Sequence, residues 1–234
     1  MSDPRSRLIV ALDVPDRESA LEAVERLTGH VGIFKVGLEI FTREGPRLVE
    51  EIRDRGEKIF LDLKLHDIPN TVQGAVRSAC RLGVEMLTVH ASGGPTMLSA
   101  ASQEAQSFAS PPLLLAVTAL TSLSENDVNA LGIPGSVEQW VERLASLAKE
   151  SGIPGIVASG KELPMLRRCF GSALQYVTPG IRPGGAALQD QARAATPAAA
   201  IRAGANYIVV GRPILQAPDP AKAADAIVEE IAGV

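Results

Sequence analysis

The chain has 234 residues, of which 46% are hydrophobic and only 3% aromatic, and a net charge of -4. The length suits one large α/β domain, and the apolar fraction supplies a sizeable core that must be built from Val, Ile, Leu and Ala. The pI near 5.5 and the lack of a basic run argue against nucleic acid as a partner, and no apolar stretch approaches the roughly eighteen residues of a membrane span.

The start, Met1-Ser2-Asp3-Pro4-Arg5-Ser6-Arg7, is polar and does not read as a secretory signal. Eight short apolar runs then recur: Leu8 to Asp13, Ile33 to Gly37, Lys58 to Lys64, Met86 to His90, Leu113 to Thr118, Gly155 to Ala158, Gln175 to Thr178, and Tyr207 to Val210. Helical patterns separate them. Ala20, Leu21, Val24 and Leu27 share one face of Arg17 to Leu27, and Val141, Leu144, Ala145 and Ala148 share one face of Val137 to Ala148. A segment from Ala198 ends at Gly204, a residue suited to a helix C-cap. Cys80 and Cys169 fall in helix-like segments without metal spacing, so they are expected as buried or half-buried free thiols in a reducing cytoplasm.

Eight strand–helix units predict a closed (β/α)8 TIM barrel, a single domain over residues 1–234. An open doubly wound sheet is the alternative. No Gly-x-Gly-x-x-Gly follows the first run, which weakens a dinucleotide-binding version of it.

Barrel active sites form where strands end. The first run ends in Asp13, on the face of Ile9 and Ala11, and the second carries Lys35 on the face of Ile33 and Gly37. In the third, Phe60-Leu61-Asp62-Leu63-Lys64-Leu65-His66-Asp67-Ile68-Pro69-Asn70-Thr71, alternation puts Asp62 and Lys64 on one face and Leu61, Leu63 and Leu65 on the other. The fourth run ends in Thr88 and His90, and the fifth leads through Thr118 to Thr121-Ser122. Taken singly, Asp13 and Asp67 also suit helix caps, Lys35 could reach solvent with its stem buried, and His90 suits a core histidine bonded to a carbonyl. Two lysines and three acids on one rim make a charge network the stronger reading, since an unpaired buried charge is expensive.

The last run gives Val210-Gly211-Arg212-Pro213. Glycine lets a ligand approach the backbone, Pro213 suits the first turn of a helix, and Arg212 offers a cationic fork. Barrels often hold phosphate between the loops after strands seven and eight. The loop Gly180-Ile181-Arg182-Pro183-Gly184-Gly185-Ala186-Ala187 is expected to close over that anion, with Gln191 in reach; a plain turn and a surface loop are the alternatives.

Together these residues resemble the orotidine 5'-monophosphate decarboxylases of bacterial type, over nearly the whole chain. The most specific part is Asp-x-Lys-x-x-Asp, here Asp62, Lys64 and Asp67, joined by Lys35, Val117-Thr118-Ala119-Leu120-Thr121-Ser122 and Val177-Thr178-Pro179-Gly180-Ile181-Arg182-Pro183. The resemblance implies decarboxylation of orotidine 5'-monophosphate to uridine 5'-monophosphate, with no cofactor and no metal, in a cytoplasmic homodimer with shared active sites. It implies that Lys64 protonates C6, that Asp62 lies near the departing carboxylate, and that Asp67 and Thr71 enter the neighbouring subunit's site. Asp13 and Lys35 would hold the ribose, Thr121 the pyrimidine edge, and Arg182, Gln191, Gly211 and Arg212 the phosphate. Relatives that share Asp-x-Lys-x-x-Asp but use a divalent metal on an enediolate are the enzymatic alternative. A phosphate-metabolite-binding barrel without catalysis is the other.

Overall fold

The computed structural model describes residues 3–183 and 195–234. Eight strands form one parallel sheet: β1 (Leu8–Ala11), β2 (Ile33–Gly37), β3 (Ile59–Leu65), β4 (Met86–His90), β5 (Leu113–Val117), β6 (Gly155–Val157), β7 (Gln175–Thr178) and β8 (Tyr207–Val210). Each pairs with the next, and β8 returns to β1 through Leu8–Ile208, Ile9–Val209 and Val10–Val210. That closure makes a (β/α)8 barrel and rules out the open sheet.

Alternation along each strand makes two apolar layers. Ile9, Ala11, Ile33, Phe60, Met86, Leu115, Val177 and Val209 fill the barrel interior. Val10, Phe34, Leu61, Leu87, Ala116, Ile156, Tyr176 and Val210 face outward and belong to the larger core with the helices. Branched aliphatics fill both layers, as parallel strands covered on both faces require.

The helices form where the apolar spacing places them. Arg17–Leu27 begins at Asp16, whose carboxylate accepts from the Ser19 N–H, and it buries Ala20, Val24 and Leu27. Val137–Glu150 starts with a Ser136–Gln139 capping box and runs two residues past Ala148. Pro197–Arg202 ends at Ala203, after which Gly204 takes a φ of +109°. The N–H groups of Gly204 and Ala205 donate to Ile201 and Ala200, the paired bonds of a Schellman stop. Cys80 is buried, but Cys169 is exposed, on the outer side of the helix Leu163–Phe170, so the expectation for Cys169 is corrected. Among the described residues, no helix is long and apolar enough to cross a membrane.

Candidate active site

A cavity of about 270 Å³ opens at the mouth where the strands end. Its wall takes Asp13 after β1, Lys35 from β2, Asp62 and Lys64 from β3, Thr121 after β5, Pro179 to Arg182 after β7, and Gly211 to Pro213 after β8. Residues from both ends of the chain therefore meet, because β8 lies beside β1.

One side of the cavity is an alternating row of charge. Lys35 Nζ lies 3.5 Å from Asp13 Oδ1 and 3.7 Å from Asp62 Oδ2, and Lys64 Nζ lies 2.9 Å from that same Asp62 oxygen. Lys35 and Asp62 are nearly enclosed, with side chains 13% exposed, whereas Asp13 is open at 56%. Each enclosed charge thus has an opposite neighbour, the condition under which buried charge is tolerated. The Lys35 ammonium lies within 4 Å of both Asp13 and Asp62, so it would repel a divalent cation placed beside those carboxylates.

The row depends on an irregularity that hydrophobic spacing does not reveal. Leu61 pairs with Leu87 and Leu65 with Val89, so residues 62 to 64 bulge opposite Thr88 alone. Within the bulge Lys64 has a φ of +51°, the one positive value at a non-glycine position among the described residues. The buried Thr88 hydroxyl accepts from the Lys64 N–H at 2.9 Å and donates to Asp62 Oδ1 at 3.0 Å. A polar residue in the run Met86–His90 was visible in the sequence, but its partners were not.

The opposite side is cationic. Arg182 is only 9% exposed, and its Nε has no hydrogen-bond partner among the described residues. Its backbone N–H donates to Ala195 O at 3.0 Å, which pins the base of the loop. Arg212 opens the short helix Arg212–Leu215, capped by Gly211. A Cβ at Gly211 would stand 3.3 Å from Asp13 Oδ2 and 3.4 Å from the Ala11 Cβ, so the lack of a side chain keeps the mouth open there. Gln191 and Gly184 to Ala187 lie outside the described residues.

Asp67 and Thr71 are exposed and stand apart from this cavity. Asp67 accepts the Ile68 N–H at 2.6 Å, while the cap of the helix Pro69–Arg81 is Ile68 itself. The helix-cap alternative for Asp67 therefore fails. His90 packs its ring 5.4 Å from that of His66, and its Nδ1 is buried without a partner among the described residues. Burial, then the nearby His66 and Lys64, hold its pKa below the usual histidine value. The bonded core-histidine alternative is not what the structure has.

Comparison with known proteins gives one family. A model of the Orotidine 5'-phosphate decarboxylase / HUMPS family matches residues 6–227. The chain is 51% identical to an orotidine 5'-phosphate decarboxylase of Syntrophotalea carbinolica, over 98% of this chain and 96% of that protein. It is 50% identical to one of Moorella thermoacetica, over 97% and 92% respectively. The crystal structure of orotidine 5'-phosphate decarboxylase from Lactobacillus acidophilus superposes with a TM-score of 0.86 at 40% identity, covering 96% of this chain and 98% of that one. With its barrel, its mouth and its near full-length relatives in agreement, the chain belongs to the orotidine 5'-phosphate decarboxylase family.

Proposed function

We propose that this chain decarboxylates orotidine 5'-monophosphate to uridine 5'-monophosphate and carbon dioxide without a cofactor, in pyrimidine nucleotide synthesis. The observation that carries the reading is the row Asp13–Lys35–Asp62–Lys64 on one side of a cavity whose other side presents Arg182 and Arg212. A pure binding site has no need of a lysine held at the end of such a row.

The bond from C6 to the carboxylate breaks, its electron pair stays on C6, and carbon dioxide leaves. Lys64 Nζ then gives C6 a proton and regains one from solvent. No imine or metal spreads the charge, so a fixed ammonium beside C6 stabilises it where it develops. Two unit charges about 4 Å apart interact by roughly 4 kcal/mol at an effective dielectric near 20. That is worth about a thousandfold in rate. Remote binding of the phosphate supplies further stabilisation by closing and ordering the site.

Asp62 lies near the departing carboxylate, and Asp13 and Lys35 hold the ribose hydroxyls. Thr121 meets the pyrimidine edge, and Arg182, Gln191, Gly211 and Arg212 receive the phosphate. The exposure of Asp67 and Thr71, beside an Ile68 that is itself 66% exposed, supports their service in a partner's site and hence a homodimer. The same proposal takes residues 1–234 as one catalytic domain, and the unbridged Cys80 and Cys169 support a cytoplasmic setting.

The test is loss of absorbance from orotidine 5'-monophosphate, with and without chelator, for the wild type and Lys64→Ala. Turnover that survives chelator and disappears in Lys64→Ala is expected, with uridine 5'-monophosphate still bound by the variant. Turnover abolished by chelator would favour metal-dependent enediolate chemistry. Binding of the product nucleotide with no turnover by the wild type would leave a binding barrel.

A further inference from the structure

We infer that Thr88 is a positioning residue for the reaction, holding Lys64 and Asp62 in their working geometry through one hydroxyl. The inference rests on Lys64 being the proton donor. It begins with the bulge of β3, where Thr88 of β4 faces residues 62 to 64 by itself. A bulge removes a backbone group from the ladder, and a buried N–H without a partner is costly. The Lys64 N–H instead donates to Thr88 Oγ1 at 2.9 Å.

The same oxygen carries a proton that goes to Asp62 Oδ1 at 3.0 Å, which fixes the rotation of the hydroxyl. With Oδ1 held, Oδ2 is left facing Lys64 Nζ at 2.9 Å and Lys35 Nζ at 3.7 Å. One hydroxyl therefore fixes both the backbone that carries the ammonium and the carboxylate that faces it. Lys64 also adopts a φ of +51°, which a non-glycine residue holds only when its surroundings impose it. Thr88 is fully buried, so no water stands ready to replace the hydroxyl. On its other side Thr88 pairs with Leu115 of β5 in regular register, so its backbone is held there whatever side chain it carries.

Valine has the shape of threonine without the hydroxyl, so Thr88→Val keeps the packing and deletes both hydrogen bonds. A displacement of about 1 Å at a reacting group costs on the order of a hundredfold. We expect Thr88→Val to lower kcat by about that factor, with KM and the affinity for uridine 5'-monophosphate moved by less than about threefold, because the nucleotide's ribose and phosphate contacts lie elsewhere. Thr88→Ser restores the hydroxyl and should restore kcat to within about threefold, whereas Thr88→Ala, which lacks it, should be as slow as valine. Alanine as active as serine would overturn the inference, and so would a valine variant with wild-type kcat. Should valine fail to fold, the serine and alanine pair decides. Lys64→Ala is measured alongside: if it turns over normally the assignment of Lys64 fails, and if it is inactive while Thr88→Val is fast, only the role of Thr88 fails.

Discussion

Replacing Asp62 by Asn removes one charge and little else. The amide oxygen can still accept from Thr88, so packing and that hydrogen bond survive. The loss falls on the two lysines. At an effective dielectric near 20, contacts of 2.9 and 3.7 Å correspond to roughly 6 and 4.5 kcal/mol of direct attraction. Both ammonium groups lie on one carboxylate oxygen, so their nitrogens can be no more than about 6.6 Å apart, and without the carboxylate they repel by at least about 2.5 kcal/mol. Relief from burying the carboxylate offsets part of this, and breaking an enclosed pair costs on the order of 3–5 kcal/mol net. In a chain of this size that lowers Tm by about 10 °C. Thermal unfolding of the ligand-free protein measures it, beside kcat from the absorbance assay, which should fall by at least about a hundredfold. The substrate offers a further reading. If its carboxylate sits beside position 62, it neutralises the two stranded lysines and should raise the Tm of Asp62→Asn more than uridine 5'-monophosphate does. A variant with wild-type Tm and wild-type kcat would refute the idea that Asp62 is the centre of the row.

Arg212→Ala should cut kcat/KM for orotidine 5'-monophosphate by about ten- to a hundredfold, the worth of a charge-assisted hydrogen bond. For orotidine, which lacks the phosphate, the loss should be slight, and equal losses on both would contradict the phosphate assignment. Lys64→Ala and Asp67→Ala should each be inactive alone. If Asp67 serves the partner's site, re-associated mixtures should regain about a quarter of wild-type turnover, since half the dimers are mixed and each carries one intact site; no recovery on mixing would count against shared sites. His90 gives a pH dependence. Its folded pKa lies below the ordinary 6.5, so the unfolded chain binds the proton more readily as pH falls. The stability it contributes is therefore complete above about pH 6.5 and is lost below it, so cooling of Tm between about pH 7.5 and 5.5 should be steeper in the wild type than in His90→Gln. Parallel curves would show that His90 is not the group responsible.

The sequence made the barrel legible because each strand is an apolar run of about the right length, bounded by turns. Four of the eight runs match their strands to the residue, among them Ile33–Gly37 and Met86–His90. The misses fall mostly where strands open into the mouth: Asp13, Thr118 and Ala158 lie just beyond β1, β5 and β6. There the ladder frays: Leu12 and Ala158 each still donate one backbone bond to the next strand, at Lys35 O and Val177 O, and the chain then turns away. Alternation also put Asp62 and Lys64 on one face, and their side chains do meet. It could not show the bulge, because register is a property of two strands and only one is read at a time. Thr88 was accordingly visible as a polar strand residue without a task. The exposure of Cys169 was missed for a related reason: helical spacing does not say which side of a short segment the barrel will cover.

What the barrel adds to the motifs is adjacency. Asp13 and Gly211 are nearly two hundred residues apart in sequence, yet closure of β8 on β1 brings them so close that a single methyl group at Gly211 would crowd the Asp13 carboxylate. The charge row starts at that seam and runs away from it along β2 and β3, while the arginines lie on its other side, after β7 and β8. A ligand with a phosphate at one end and a reacting ring at the other must therefore cross the seam, with its middle beside Asp13 and Lys35. Binding energy from the anionic end is then delivered through the sugar to the ring, in a fixed orientation. This arrangement fits the proposal in which Asp13, the most exposed member of the row, binds ribose and the enclosed Asp62 lies by the departing carboxylate. Exposure is lowest in the middle of the row, 13% at Lys35 and Asp62 against 56% at Asp13 and 29% at Lys64, so the shared carboxylate of Asp62 has the drier and more fixed environment of the two acids.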